Sequence, residues 1–338
     1  MYQSPGAPYQ NDYYRRLLAQ RQERTEIRKA TNRTAWTVFI GILLMVRILP
    51  AIGLNYLQVS GVTITGQGDF KGIPPVLYYL LICVDYVLGL AIPALLYFLI
   101  QGIPLTQGLP FPKLSVSETA IYVAFGCMVC LLANYPADFV AVQLEKHGFN
   151  GDVPDMPLNN DPRVLVLYGL AVIVIPPIVE EMLFRGVVLQ SLKRFGDGFA
   201  IVVSALFFGL YHGNLIQIVF AFLSGLALGF VVVRTGSLLP SILIHCINNG
   251  VSFAVEMVER FYGTATANGV YLILIVTVIA LGLISLYILG QRRLLFTGKK
   301  SGTLLSPSGR IGAAVTNPGF WLLTAYAAYA SVQVMLNG

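Results

Sequence analysis

Long apolar runs alternate with short polar segments along almost the whole chain. These runs have the length of membrane-spanning helices, which need about 20 apolar residues to cross the hydrocarbon core. A ninth and weaker run, at 312–336, is interrupted by Pro318. We therefore expect an all-α, polytopic integral membrane protein with eight or nine transmembrane helices. The eight clear runs lie at 36–57, 75–101, 117–143, 163–192, 198–213, 215–233, 237–258 and 270–290.

The composition agrees with this pattern. Hydrophobic residues make up 56% of the chain and charged residues only 11%, whereas soluble domains carry about 25% charged residues. The first 35 residues are the exception, because they are polar and basic. Such a juxtamembrane segment indicates topology and attraction to anionic lipid, so we expect the bilayer as a partner and no nucleic acid. Its cations are Arg15, Arg16, Arg21, Arg24, Arg28, Lys29 and Arg33.

The same boundaries divide the chain into four parts. Residues 1–35 form a cytoplasmic basic juxtamembrane segment, and residues 36–116 contain the N-terminal transmembrane helices. Residues 117–290 form the transmembrane core that holds the candidate site. Residues 291–338 combine a basic loop with the possible extra transmembrane helix.

Lysine and arginine in short loops predict the orientation, because cytoplasmic loops carry an excess of both. The loop at 145–161 is instead acidic, with Glu145, Asp152, Asp155 and Asp161. We expect a multi-pass protein of a bacterial cell membrane whose N-terminus is cytoplasmic. Beyond the first segment, the cations on the predicted inner side are Lys113, Lys193, Arg194, Arg234, Arg292, Arg293, Lys299, Lys300 and Arg310.

Three clusters of polar residues interrupt the predicted spans. A charged side chain within a span is unfavourable by about 2.5–3.5 kcal/mol on insertion scales, so it needs a partner or a water-filled cavity. Two histidines, an unpaired glutamate and an asparagine on three different spans indicate function more than packing. The clusters contain Glu180, Glu181 and Arg185, then Phe208 and His212, then His245 and Asn249.

Helical spacing sorts these groups by face. Glu181 and Arg185 are four residues apart and can form an ion pair along one helix, while Glu180 points about 100° away. Glu180 and His212 each lie 16 residues from Gly196 in the intervening turn. In two regular helices both side chains would lie roughly 24 Å from that turn. We therefore expect them at one depth, facing one cavity.

In order, the clusters match the motifs EExxxR, FxxxH and HxxxN. The sequence thus resembles, over about residues 117–290, the CAAX prenyl-protease and bacteriocin-processing family (CPBP or Abi) of intramembrane endopeptidases. The resemblance implies a cavity open toward the cytoplasm and cleavage of a peptide bond near that membrane face. The implied substrate is a membrane-associated peptide or protein.

The resemblance also assigns roles to individual residues. Glu180 with His212 would activate water, while His245 and Asn249 would hold the oxyanion. The supporting residues would be Glu181, Arg185 and Phe208. If zinc is the cofactor, its ligands would be Glu180, His212 and His245; we favour a mechanism without metal because this ligand supply is thin.

Two other functions fit parts of the pattern. One is a non-catalytic membrane receptor or scaffold, such as an immunity partner, which would need none of these polar groups. The other, less favoured, is a proton-coupled transporter, since intramembrane glutamate and histidine also build proton relays.

Overall fold

The computed structural model describes residues 7–62, 64, 70–151, 156–295 and 302–337. Every regular element within these residues is a helix, so the prediction of an all-α protein is confirmed. Four of the charged residues used to predict orientation lie outside the described residues, namely Asp152, Asp155, Lys299 and Lys300.

Ten helices of the described chain organise the bundle, together with one short turn of helix at Leu105–Gly108. Eight of them are long and apolar enough to cross a membrane. In chain order the ten are α1 (Asp12–Val59), α2 (Pro75–Gln101), α3 (Val116–Lys146), α4 (Pro162–Phe195), α5 (Asp197–Tyr211), α6 (Leu215–Thr235), α7 (Leu239–Tyr262), α8 (Thr264–Gln291), α9 (Pro307–Val315) and α10 (Pro318–Leu336).

The set of spanning helices differs from the predicted set at two places. Helix α5 has only 15 residues, about 22 Å, which is shorter than the hydrocarbon core of about 30 Å. Helix α10 is long enough, because Pro318 begins it rather than interrupting it. Proline fits the first turn of a helix, where its missing N–H has no partner to lose. The side chain of Asn317 accepts a hydrogen bond from the Phe320 amide at 2.9 Å and stabilises this start.

The basic segment is the first part of α1 and contacts the ends of α2 and α4. Arg33 donates a hydrogen bond to Gln101 at the end of α2, at 2.7 Å. Glu26 lies 3.4 Å from Arg194, at the end of α4. These contacts bring the N-terminal cations to the end of the bundle where α2 and α4 finish. We call this end of the bundle the basic end.

Helices α5 and α6 form a tight hairpin whose turn lies toward the opposite end. A Cβ added at Gly225 would lie 3.0 Å from the Cα of Ala205, so the missing side chain of glycine favours this close approach of the two backbones. In the turn, Asn214 accepts a hydrogen bond from the Gln217 amide and so caps α6. Its amide also donates to the Gly151 carbonyl at 2.6 Å. The α3–α4 loop is thereby fastened to the end of α5.

Candidate active site

The three polar clusters come from three helices and surround one cavity of about 390 Å³. Five of the seven residues singled out in the sequence line it: Glu180 from α4, Phe208 from α5, His212 directly after α5, and His245 and Asn249 from α7. The other two, Glu181 and Arg185, are fully buried behind its wall.

Glu181 and Arg185 form the ion pair that their spacing predicted. An Nη1 of Arg185 donates to Oε1 of Glu181 at 2.7 Å, and both side chains are fully buried. Nη2 donates to the Gly225 carbonyl on α6 at 3.3 Å. The guanidinium also lies 4.4 Å from the centre of the Phe208 ring. This arrangement compensates the buried charge and joins α4 to α5 and α6.

Glu181 has a second partner that the sequence did not indicate. Its Oε1 lies 3.3 Å from Nδ1 of His245. Because a carboxylate accepts hydrogen bonds, Nδ1 carries the proton in this contact. Nε2 of His245 then faces Oε2 of Glu180 at 3.8 Å, which is too long for a direct hydrogen bond. Glu181 therefore orients His245, while Glu180 shares a hydrogen bond with the hydroxyl of Tyr211 and lines the cavity.

His212 is held by the backbone at the end of α5. Its Nδ1 lies 2.8 Å from the carbonyl oxygen of Phe208. That carbonyl is free because the His212 amide donates to Gly209 instead. Since a carbonyl only accepts, Nδ1 is the protonated nitrogen, and in the neutral ring Nε2 keeps its lone pair. His212 is thus prepared to accept a proton or a hydrogen bond at Nε2.

Phe208 contacts both histidine rings and the guanidinium of Arg185. Its ring centre is 5.0 Å from that of His212 and 5.7 Å from that of His245, both edge to face. The cation of Arg185 lies over the same ring. Phe208 therefore packs between the ion pair and the two histidines.

Asn249 satisfies a carbonyl that α4 cannot satisfy by itself. Nδ2 of Asn249 donates to the Val172 carbonyl at 2.9 Å. In a regular helix that carbonyl would accept from residue 176, and in a π-helical turn from residue 177. Both positions are proline and lack an N–H. Asn249 therefore has a clear structural contact, and the second N–H of its amide remains for a ligand.

Further polar residues line the cavity, and sequence reasoning passed over them. Asn248 and Ser252 lie on α7 with His245 and Asn249. The spacing of 0, 3, 4 and 7 residues is that of one helix face, so a polar stripe in an apolar helix was a usable signal. Tyr86 of α2 also lines the cavity. Its position gave no signal, because α2 carries no motif.

The residues proposed as zinc ligands do not form a ready metal site. Among the described residues, no group of three His, Cys, Asp or Glu side chains is close enough to hold a metal ion. His245 instead directs Nδ1 to Glu181, and His212 directs Nδ1 to a carbonyl. The absence of metal from the mechanism stays a prediction, and we derive no step through a metal.

Comparison with protein families identifies the central part of the chain. Residues 162–251 match the model of the family described as type II CAAX prenyl endopeptidase Rce1-like. The match is narrower than the 117–290 expected, yet it includes all three motifs. It confirms the resemblance to the CAAX protease family over these residues. No curated protein and no solved structure matches the chain.

Proposed function

We propose that this Rce1-like membrane protein is an intramembrane endopeptidase that cleaves a membrane-associated peptide or protein. One observation carries the proposal: the carboxylate of Glu180 and the rings of His212 and His245 line a single cavity inside the bundle. In each histidine, Nδ1 is engaged in a hydrogen bond with the protein. Hydrolysis of a peptide bond transfers an acyl group to water. It requires a base, a group that carries the proton to the leaving amine, and hydrogen-bond donors for the oxyanion.

In the proposed mechanism Glu180 and Nε2 of His212 bind the attacking water. A proton passes from the water to Glu180 while the hydroxide oxygen bonds to the carbonyl carbon of the scissile peptide. The tetrahedral intermediate then collapses, the C–N bond breaks, and the leaving amine receives that proton from Glu180. No net charge is created, which suits a site enclosed in a membrane.

The oxyanion of the intermediate needs donors that are already in place. We assign this role to the second N–H of Asn249 and, when the ring is protonated, to Nε2 of His245. Asn249 is held by Val172 and His245 by Glu181, so neither donor has to reorganise during the reaction. Loss of one such donor lowers kcat by about 10²–10³-fold in other hydrolases.

The two alternative functions make different demands on the same residues. A proton-coupled transporter needs a path through the membrane, whereas the cavity is bounded toward the basic end by fully buried residues such as Phe184, Arg185 and Leu189. A receptor or scaffold needs no reactive groups. It would keep its function when Glu180 is replaced by an isosteric amide.

The proposal is tested by comparing protein N-termini in membranes from cells that express either the wild-type chain or Glu180→Gln. We expect a set of new N-termini that depends on the wild-type chain and disappears with Glu180→Gln at equal protein level. The receptor alternative predicts identical sets of N-termini. His212→Asn serves as a second inactive variant, because it changes a different helix.

A further inference from the structure

A second cavity, of about 410 Å³, lies at the basic end of the bundle between α1, α2 and α4. It shares no lining residue with the candidate active site, so the proposed peptidase reaction does not account for it. Among the described residues that line it, two are arginines and none is acidic. The polar side chains that the three helices contribute are Arg33 from α1, Tyr97 and Gln101 from α2, and Gln190, Ser191 and Arg194 from α4.

The two arginines lie on different helices but act on the same place. Both guanidinium groups are close enough to Tyr97 to act on its hydroxyl electrostatically. Arg33 donates to the neutral Oε1 of Gln101 at 2.7 Å and forms no ion pair with a carboxylate of the described chain. Arg194 lies 3.4 Å from Glu26, and both of these side chains are largely exposed. Exposed pairs contribute little to stability, so Arg194 can exchange Glu26 for a ligand.

The cavity also contains hydrogen-bond donors that the protein does not use. The side-chain nitrogen of Gln190 is buried and has no hydrogen-bond partner within the part of the chain that the structure describes. Buried polar groups are nearly always hydrogen-bonded. The hydroxyls of Tyr97 and Ser191 lie 2.9 Å apart, so one hydroxyl hydrogen lies between them and the other is left to donate. An anion in the cavity would bring acceptor oxygens to these donors.

Phosphate fits this set of groups. Arginine forms charge-assisted and often bidentate hydrogen bonds to phosphate oxygens. With Glu26 counted against the two arginines, the surroundings of the cavity carry one net positive charge. A phosphodiester carries one negative charge and no hydrogen-bond donor of its own, so it matches both the charge and the surplus of donors.

The cavity lies at the level of the lipid head groups. Helix α2 has 27 residues, about 40 Å, which is the thickness of a bilayer with its head groups. Tyr97 and Gln101 belong to the final residues of this helix. Trp36, one turn along α1 from Arg33, is exposed, and tryptophan is enriched at the membrane–water interface. Leu99 and Ile100 are 77% and 74% exposed, in a position to contact acyl chains beside the cavity.

From these observations we propose that the cavity between α1, α2 and α4 binds a singly charged phosphate group, with Arg33 and Arg194 on its oxygens. A phospholipid and a soluble phosphate compound share this chemistry, and the level of the cavity favours the phospholipid. Basic pockets between transmembrane helices bind anionic head groups in other membrane proteins. This binding is independent of the peptidase function proposed above.

Binding to the purified full chain in an uncharged detergent tests the proposal. The three probes are dioctanoyl phosphatidylglycerol, dioctanoylglycerol, which lacks the phosphate, and inorganic phosphate, each titrated by isothermal calorimetry. The cavity variant is Arg33→Gln/Arg194→Gln. The control variant, Arg28→Gln/Lys193→Gln, removes the same charge from the same two helices at positions that do not line the cavity. Size-exclusion chromatography after heating checks that both variants are folded.

We expect phosphatidylglycerol to saturate at one molecule per wild-type chain and dioctanoylglycerol not to bind. The affinity should fall about tenfold or more in the cavity variant, the factor expected for one lost charge-assisted hydrogen bond, and stay nearly unchanged in the control variant. Equal losses in both variants would show general attraction to a basic surface and overturn the site. Binding of inorganic phosphate without phosphatidylglycerol would overturn the lipid as its source. No binding of either phosphate probe to the wild-type chain would refute the proposal, and none of these results bears on peptide cleavage.

Discussion

Removing the carboxylate of Glu181 leaves Arg185 as an unpaired charge in the centre of the bundle. In Glu181→Ala the guanidinium of Arg185 keeps its hydrogen bond to the Gly225 carbonyl, at 3.3 Å, and its contact with the face of the Phe208 ring. Both are neutral partners, and the 2.7 Å ion pair is lost. Breaking a fully buried pair from one side destabilises proteins by about 3–5 kcal/mol. At about 2–4 °C per kcal/mol for a domain of 150–250 residues, we expect the thermal midpoint to fall by roughly 10 °C.

The neighbouring carboxylate provides the matched control. Glu180→Gln has the same shape, lies one residue away and removes a carboxylate whose nearest basic side chain is that of His245, at 3.8 Å. An amide is easier to bury than a carboxylate, so we expect its midpoint to equal or exceed that of the wild type. The midpoints are measured on purified protein in detergent by size-exclusion chromatography after heating.

A third variant separates the lost pair from the lost side chain. In Glu181→Leu/Arg185→Met both charges are absent, and apolar replacement of a buried pair is often neutral or stabilising. We therefore expect the double variant to recover most of the loss seen in Glu181→Ala. Equal losses for Glu181→Ala and Glu180→Gln, or no recovery in the double variant, would refute the assignment of Glu181 as the partner that stabilises Arg185.

Other predictions concern individual contacts of the site. Asn249→Ala should lower stability by about 1–3 kcal/mol, because the Val172 carbonyl is left without a donor. In the double variant Asn249→Ala/Pro176→Ala the new N–H of residue 176 should restore part of this loss; denaturation of the wild-type chain and of these two variants checks it. His212→Asn should keep a donor for the Phe208 carbonyl but remove the distal nitrogen, so that the fold survives and peptide cleavage is lost; retained cleavage would contradict the role of Nε2. Activity should persist after exhaustive chelation, with no stoichiometric metal found by elemental analysis; loss that zinc specifically restores would show a metal site instead.

The sequence predicted the contacts that lie within one helix. Glu181 and Arg185 are four residues apart, and this spacing alone places them together. Contacts between helices could not be predicted from residue spacing, because packing decides which face of α7 is turned toward α4. For this reason the hydrogen bond from His245 to Glu181 and that from Asn249 to Val172 were both missed.

The depth argument for Glu180 and His212 assumed two regular helices. Helix α4 instead contains π-helical turns at Leu170–Val174 and Met182–Leu189, and a 3₁₀ turn at Lys193–Phe195. A rise of 1.5 Å per residue therefore does not apply throughout α4. The two side chains nevertheless line one cavity.

The central claim is that this cavity hydrolyses peptide bonds with Glu180 as the base. The most direct measurement uses the purified full chain in proteoliposomes, incubated with a library of membrane-anchored peptides and analysed by mass spectrometry. The account predicts cleavage products with the wild-type chain, and none with Glu180→Gln at equal reconstitution and equal thermal midpoint. Products that form equally with both chains would contradict it.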